Sequence, residues 1–209
     1  MTILHLLAST QGLKGNEANI VLAKRIALTD DKNAVKELVD NLNNKDKNIQ
    51  SDCIKTLYEL GYFKPELIED YHTEFINLLT NKNNRLVWGG LIAVATIVDL
   101  RPKEIFDSLT KIMEAVRNGS VITIDSGVEI LSRLNKHDDY FSTTDPLLIE
   151  QLWNCQIKQL PMYIEKAQVS INKANKDIYR AIIEKRKPDC ENDSQIKRLE
   201  KSLKQINKL

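Results

Sequence analysis

From residue 16 onward the chain's apolar residues recur at helical spacing, and short polar turns interrupt them at regular intervals. Leu38, Val39 and Leu42 mark one amphipathic stripe. After the turn Asn43-Asn44-Lys45-Asp46-Lys47-Asn48, a second follows in Ile49, Cys53, Ile54, Leu57 and Leu60. Steps of three and four place such residues on one helical face. Asn favours the left-handed conformation that ends a helix, and Asn, Asp and Ser cap the next one. Each copy therefore predicts a helix, a tight polar turn and a second helix.

The pattern repeats. Pro65 and Pro102 stand 37 residues apart, each opening a helical stretch, where a missing N–H costs nothing. The same shift carries Cys53, Ile54, Leu57 and Leu60 onto Gly90, Leu91, Val94 and Ile97, and again onto Gly127, Val128, Leu131 and Leu134. The first helices keep register as well. Leu38, Val39 and Leu42 fall on Phe75, Ile76 and Leu79, then on Ile112, Met113 and Val116. The turns become Thr80–Asn84 and Arg117–Ser120. A partial earlier copy, Glu17 to Leu28, aligns at the shorter shift of 34.

The stretch Leu38 to Leu57 resembles the HEAT repeat, an armadillo-type helical repeat, with Asp46, Ile49, Cys53 and Leu57 at the expected positions. The expected Arg is Gln50 here and Val87 in the next copy. The resemblance covers about residues 16–135. It implies an all-α fold, a short right-handed α-α superhelix in which stacked helix pairs share one core and the second helices line the concave face.

Beyond Asn135 the pattern stops. Residues 136–145 read as a polar linker, and Asp145-Pro146 as a helix start. Ile157, Leu160, Ile164, Ala167, Ile171, Ala174, Ile178 and Ala181 form a heptad seam, and Ile196, Leu199, Leu203 and Ile206 a second one beyond Pro188. Together they predict a C-terminal long-helix hairpin over 146–209, packed on the 1–135 repeat region. Pairing of the seams between two chains, giving a homodimer, is the competing expectation.

Composition changes this picture little. The chain has 209 residues, only seven glycines and five prolines, and a net charge of +1. Residues 1–157 hold 17 Lys/Arg against 22 Asp/Glu, while residues 158–209 hold 13 against 7. The basic tail comprises Lys173, Lys176, Arg180, Lys185, Arg186, Lys187, Lys197 and Arg198. Solvated flanks of a seam account for it better than phosphate contacts, because acidic residues are interleaved. Three scattered cysteines suggest a reducing compartment, and the short apolar patch Ile3–Ala8 lacks the basic lead of a signal peptide. Cytoplasm is the expected location, with no membrane association.

No Gly-rich phosphate loop, nucleophile elbow or zinc spacing is present, so no enzyme, metal or cofactor is expected. His137-Asp138 has no further ligands at a usable spacing. The odd feature is Trp88-Gly89-Gly90. Gly90 and Gly127 occupy the Cys53 position, which points to close helix packing. Trp88 aligns instead with Ser51 and Asp125, facing away from the repeat core, beside Val87, Ile92 and Ala95. A helix apolar all round is covered by something: the chain's own C-terminal hairpin, the favoured reading, or a partner segment. The leading function is a protein–protein interaction scaffold or adaptor. Its concave face would hold Trp88 and Ile92, with Gln50, Lys55, Tyr58, Asp125 and Glu129 around them. The resemblance also reaches the alkylpurine DNA glycosylases, HEAT-like proteins that excise damaged bases from a basic groove. Their basic lining and carboxylate-bearing pocket are not recognisable here. A regulatory or structural homo-oligomer through the C-terminal helices is the third reading.

Overall fold

The computed structural model describes residues 2–209 and is helical throughout, with no strand among the described residues. The helices are α1 (Glu17–Thr29), α2 (Lys32–Asp40), α3 (Lys47–Phe63), α4 (His72–Asn77), α5 (Asn84–Ile97), α6 (Pro102–Asp107), α7 (Leu109–Arg117), α8 (Val121–Leu134), α9 (Asp138–Asn154), α10 (Leu160–Ala167), α11 (Lys176–Arg186) and α12 (Asp193–Ile206). They fall into two compact units, residues 1–127 and 128–209, with the division inside α8.

In the first unit the repeat is realised as its periodicity predicts. Every aligned apolar position named above is buried, from Leu38, Phe75 and Ile112 on the first helices to Leu57 and Val94 on the second, with Ile49 alone half-buried. Consecutive second helices pack side by side, α1 on α3 and α3 on α5. Turn chemistry recurs at the same shift. Asp46 N–H donates to Asn44 Oδ1 at 2.9 Å, and Asn83 N–H donates to Asn81 Oδ1 at 2.8 Å. Asp46 and Asn83 then cap α3 and α5 by accepting from Asn48 and Arg85 N–H. Pro65 and Pro102 start short helical pieces, a 3-10 turn at Pro65–Leu67 and α6, ahead of the longer first helix.

The glycines explain how closely these helices approach. A Cβ on Gly90 would stand 2.9 Å from the Phe75 carbonyl oxygen and 3.2 Å from Leu78 Cβ. One on Gly127 would meet Val116 Cγ2 at 2.5 Å. Both contacts join the second helix of a repeat to its own first helix. Gly89 is equally confined, 2.7 Å from Ile54 Cγ1 on the preceding repeat. Where α1 meets α3, polar groups are buried instead. Asn19 Nδ2 donates to Asp52 Oδ1 at 2.8 Å, and the other Asp52 oxygen accepts from Ser9 N–H at 2.7 Å.

The second unit differs from its expected form in two ways. Residues 138–145 are no linker; they are the first half of α9, with Pro146 inside that helix. The seam from Ile157 to Ala181 is also not one helix. It breaks at residues 168–175, where Asn172 N–H donates to Asn175 Oδ1 and Ala174 N–H donates to Asn172 Oδ1, both at 2.8 Å. Such side-chain bonds offer the backbone an alternative to the helix. Ala174, Ile178 and Ala181, assigned to the seam, are exposed. A hairpin does exist, but it is the shorter α11–α12 pair, in contact across Lys187–Asn192.

Cross-links spanning 33 or 34 residues recur in both units. In the first, Lys64 pairs with Asp30, 34 residues away; Asn83 donates to Gln50, 33 away; Lys111 donates to Asn77, 34 away. In the second, Tyr179 donates to Asp145, Arg186 to the Leu152 carbonyl and Gln168 to the Ser202 carbonyl, each across 34 residues, while Arg198 reaches Glu165 across 33. Stacked repeats touch at equivalent points one period apart. Thus α9–α10 and α11–α12 are consecutive helix pairs, and the hairpin is the last repeat. The second unit is locked by Asp145, whose Oδ1 accepts from Asn135 Nδ2 (2.8 Å), Asn175 Nδ2 (2.9 Å) and Tyr179 OH (3.0 Å). Burial, then the Asp145 charge and hydrogen bond, hold the Tyr179 hydroxyl well above its ordinary pKa.

Two outcomes follow from this packing. Alanine is the better helix former by about 1 kcal/mol, yet Gly90→Ala should destabilise by about 1–3 kcal/mol, because its methyl meets backbone. Denaturant melts measure this, and a stabilised variant contradicts the packing. Burial beside Asp52 pushes the Cys53 thiol up to about 12 from an ordinary 9.0. The folded state then keeps a proton that the unfolded chain loses, so this group's contribution is full below pH 9 and falls as pH rises towards 12. Cys53→Ala should flatten the alkaline loss of stability between those limits, measured by melts across that range.

Candidate functional site

The second helices present a row at every fourth residue that is turned away from the repeat core. On α3 it is Ser51, Lys55 and Glu59; at the equivalent places α5 carries Trp88, Ile92 and Thr96, and α8 carries Asp125, Glu129 and Arg133. All nine are half-buried, whereas residues in the corresponding outward positions of the first helices, such as Lys36, Asp40, Thr73 and Asn77, are exposed.

Within the first unit, aromatic residues gather beside this row. Tyr58, buried on α3, packs at a tilt against Trp88 at a ring-centroid distance of 6.1 Å and meets Tyr62 edge-on at 6.3 Å. The Lys55 ammonium lies 4.6 Å above the Tyr58 ring and pairs with Glu59 at 2.5 Å. Burial lowers the Lys55 pKa, but its bonds to Glu59 and Tyr58 outweigh that, and the net shift is upward. Tyr58 is also shifted upward, by burial against the opposing pull of Lys55. The lysine is therefore a fixed cation on an aromatic platform.

Beside the platform opens a cleft of about 560 Å³, walled by Trp88 and Val87 of α5, Lys111 and Ala115 of α7, and Ile122 and Thr123 at the start of α8. Its lining mixes apolar side chains with polar ones, the usual character of a site that takes an apolar group.

Lys55, Tyr58 and Trp88 lie together, with Tyr58 between the other two. Ile92 follows on α5, one turn beyond Trp88. Gln50 is elsewhere in role: its amide donates to the Asn44 carbonyl at 2.7 Å and accepts from Asn83, so it fastens one turn to the next. Asp125 lies half-buried on α8. Glu129 is held by Arg133 at 2.6 Å and Lys166 at 3.3 Å. Sequence reading missed the cleft itself. Its walls come from four separate segments, and only Ile122, a large apolar residue at an exposed helix start, signals it.

The basic tail is partly neutralised. Arg198 grips Glu165 through two bonds of 2.8 and 2.6 Å, and each of the two residues is shifted towards its charged form, chiefly by that bond. Arg186 caps the end of α9 by donating to the Leu152 and Cys155 carbonyls, both at 2.7 Å. Lys187 pairs with Glu200, and Arg180 with Asp177. Lys173, Lys176, Lys185 and Lys197 lie on separate turns of the second unit. Of the second seam, Leu199 and Ile206 are buried and Ile196 and Leu203 half-buried.

Among the described residues no group of three or more His, Cys, Asp and Glu is placed to hold a metal ion, and the His137 ring packs against Tyr140 at 5.6 Å. No helix among them is long and apolar enough to cross a membrane.

No protein-family model and no curated protein matches this chain. Solved structures do. An engineered protein is 18% identical, covers 100% of both chains and superposes with a TM-score of 0.68. A second engineered protein is also 18% identical, covering 98% of this chain and 95% of its own, at 0.67. A designed armadillo repeat protein in complex with the peptide (KR)4 is 14% identical, covering 93% of this chain and 87% of its own, at 0.68. At such identities the likeness concerns the fold alone. It reaches past Asn135, where the sequence pattern faded, through nearly the full chain. This protein has the armadillo-type helical-repeat fold.

Proposed function

We propose that the chain is a non-enzymatic interaction scaffold of the cytoplasm, taking a segment of another protein on the face formed by its second helices. One observation carries this reading: Trp88 stands half-exposed on an aromatic platform with Tyr58, at the wall of a cleft large enough for a bulky apolar side chain. Aromatic residues with one face supported and one free supply much of the energy of protein interfaces. The designed armadillo protein bound to (KR)4 supports the reading by likeness, since the same fold there holds a peptide. In this chain an apolar anchor would enter the cleft beside Trp88 and Ile92. The Lys55–Glu59 pair would offer a fixed cation and a carboxylate to its flanking residues.

A displayed library of random peptides tests this without foreknowledge of the partner. Peptides enriched on the wild-type chain should lose about tenfold or more in affinity for Trp88→Ala and for Ile122→Lys. Ile122 is 45% exposed, so its replacement should leave the melt unchanged and keep the test independent of folding. Absence of enrichment, or binders indifferent to both variants, contradicts the proposal.

A further inference from the structure

A second surface stands out at the opposite margin of the first unit. Helix α1 packs on α3 through Asn19, Leu22, Ala23 and Ile26, all buried. A helix flank left in solvent is ordinarily polar. The free flank of α1 instead carries Ala18, Val21, Arg25 and Leu28, stepping by three and four. Val21 is 56% exposed and Leu28 86%, the latter the most exposed large apolar side chain among the described residues. Next to Ala18 and Val21 a groove of about 340 Å³ opens, bounded by Leu6, Leu13 and Glu17. Gly12 and Gly15, both at positive φ, shape the loop that brings Leu13 over it.

The charges on this flank say what covers it. Glu17 and Arg25 lie eight residues apart on the stripe, and neither has an ion-pair partner among the described residues. Lys24 is drawn aside over the Phe63 ring, at 5.6 Å. Val21 is the midpoint between Glu17 and Arg25. If two such helices lie antiparallel with Val21 on the two-fold axis, Glu17 of each copy faces Arg25 of the other. The same register lays each Leu28 against the 13–18 segment opposite, where the groove opens. A knob, a hole and two opposite charges, all symmetric about one residue, are what a self-complementary two-fold contact requires. A foreign helix would have no reason to match that symmetry.

We propose that this flank of α1 is a dimer interface whose occupant is the same flank of a second copy of the chain. It is distinct from the peptide-binding face and does not depend on it.

Sedimentation velocity of the full chain, from about 1 to 100 µM, should show a reversible monomer–dimer equilibrium. Leu28→Glu should abolish the dimer without moving the thermal melt, since that side chain is solvent-exposed in the monomer. Glu17→Arg alone and Arg25→Glu alone should each weaken it about tenfold by setting like charges face to face. The double reversal Glu17→Arg/Arg25→Glu should restore it to within about threefold of wild type. A chain monomeric throughout, a dimer that survives Leu28→Glu, or a double reversal no better than its parents overturns the proposal.

Discussion

Everything in this molecule depends on the inability of a two-helix unit to hide its apolar side alone. A pair such as α2 and α3 has one buried stripe between its helices and further apolar surface facing the next pair. Only a neighbour one period along removes that surface from water. The consequence is visible in Cys53, Gly90 and Gly127. Small residues there let helices come so close that the Phe75 carbonyl lies 2.9 Å from where a Gly90 Cβ would stand. It is visible again in the cross-links, which recur at separations of 33–34 residues from Asp30–Lys64 to Gln168–Ser202. Close packing sets the core, and polar pairs between equivalent positions hold the stack in register.

The first unit was legible because its apolar residues carry the period themselves. Leu38, Phe75 and Ile112 differ in shape but share a position, and sliding the chain on itself exposes them. The second unit was not, because there the period passes to polar residues. Asp145 meets Tyr179, and Glu165 meets Arg198; no similarity of residue type links such partners, so a search for like residues passes over them. The apparent seam through Ala174 and Ala181 arose from the same blindness. Apolar spacing ran on across residues 168–175, while Asn172 and Asn175 bent the backbone away from it. Those asparagines resemble Asn44 and Asn81 of the earlier turns, and that was the available signal.

The candidate site divides in the same way. Trp88 was detectable as an apolar residue on the wrong side of a helix, and Lys55 and Tyr58 as its neighbours at the repeat shift. The cleft leaves no such mark, since α5, α7, α8 and the turn after α4 each give only part of it. Gln50 shows the limit of position alone: it was expected around Trp88 and is consumed by Asn44 and Asn83. Evolution of a binding face on such a scaffold is confined to side chains that neither the core nor the inter-repeat links have claimed.

Native-state hydrogen exchange tests the stacking most directly, because it reads the stability of each helix separately. Helices flanked on both sides, α3 above all, should open only with the whole first unit. The helices α1 and α12, each packed on one side, should exchange through smaller openings with lower free energies. If α1 and α12 were protected as strongly as α3, or α3 exchanged as freely as they do, stability would not be shared between neighbouring repeats and the account would fail.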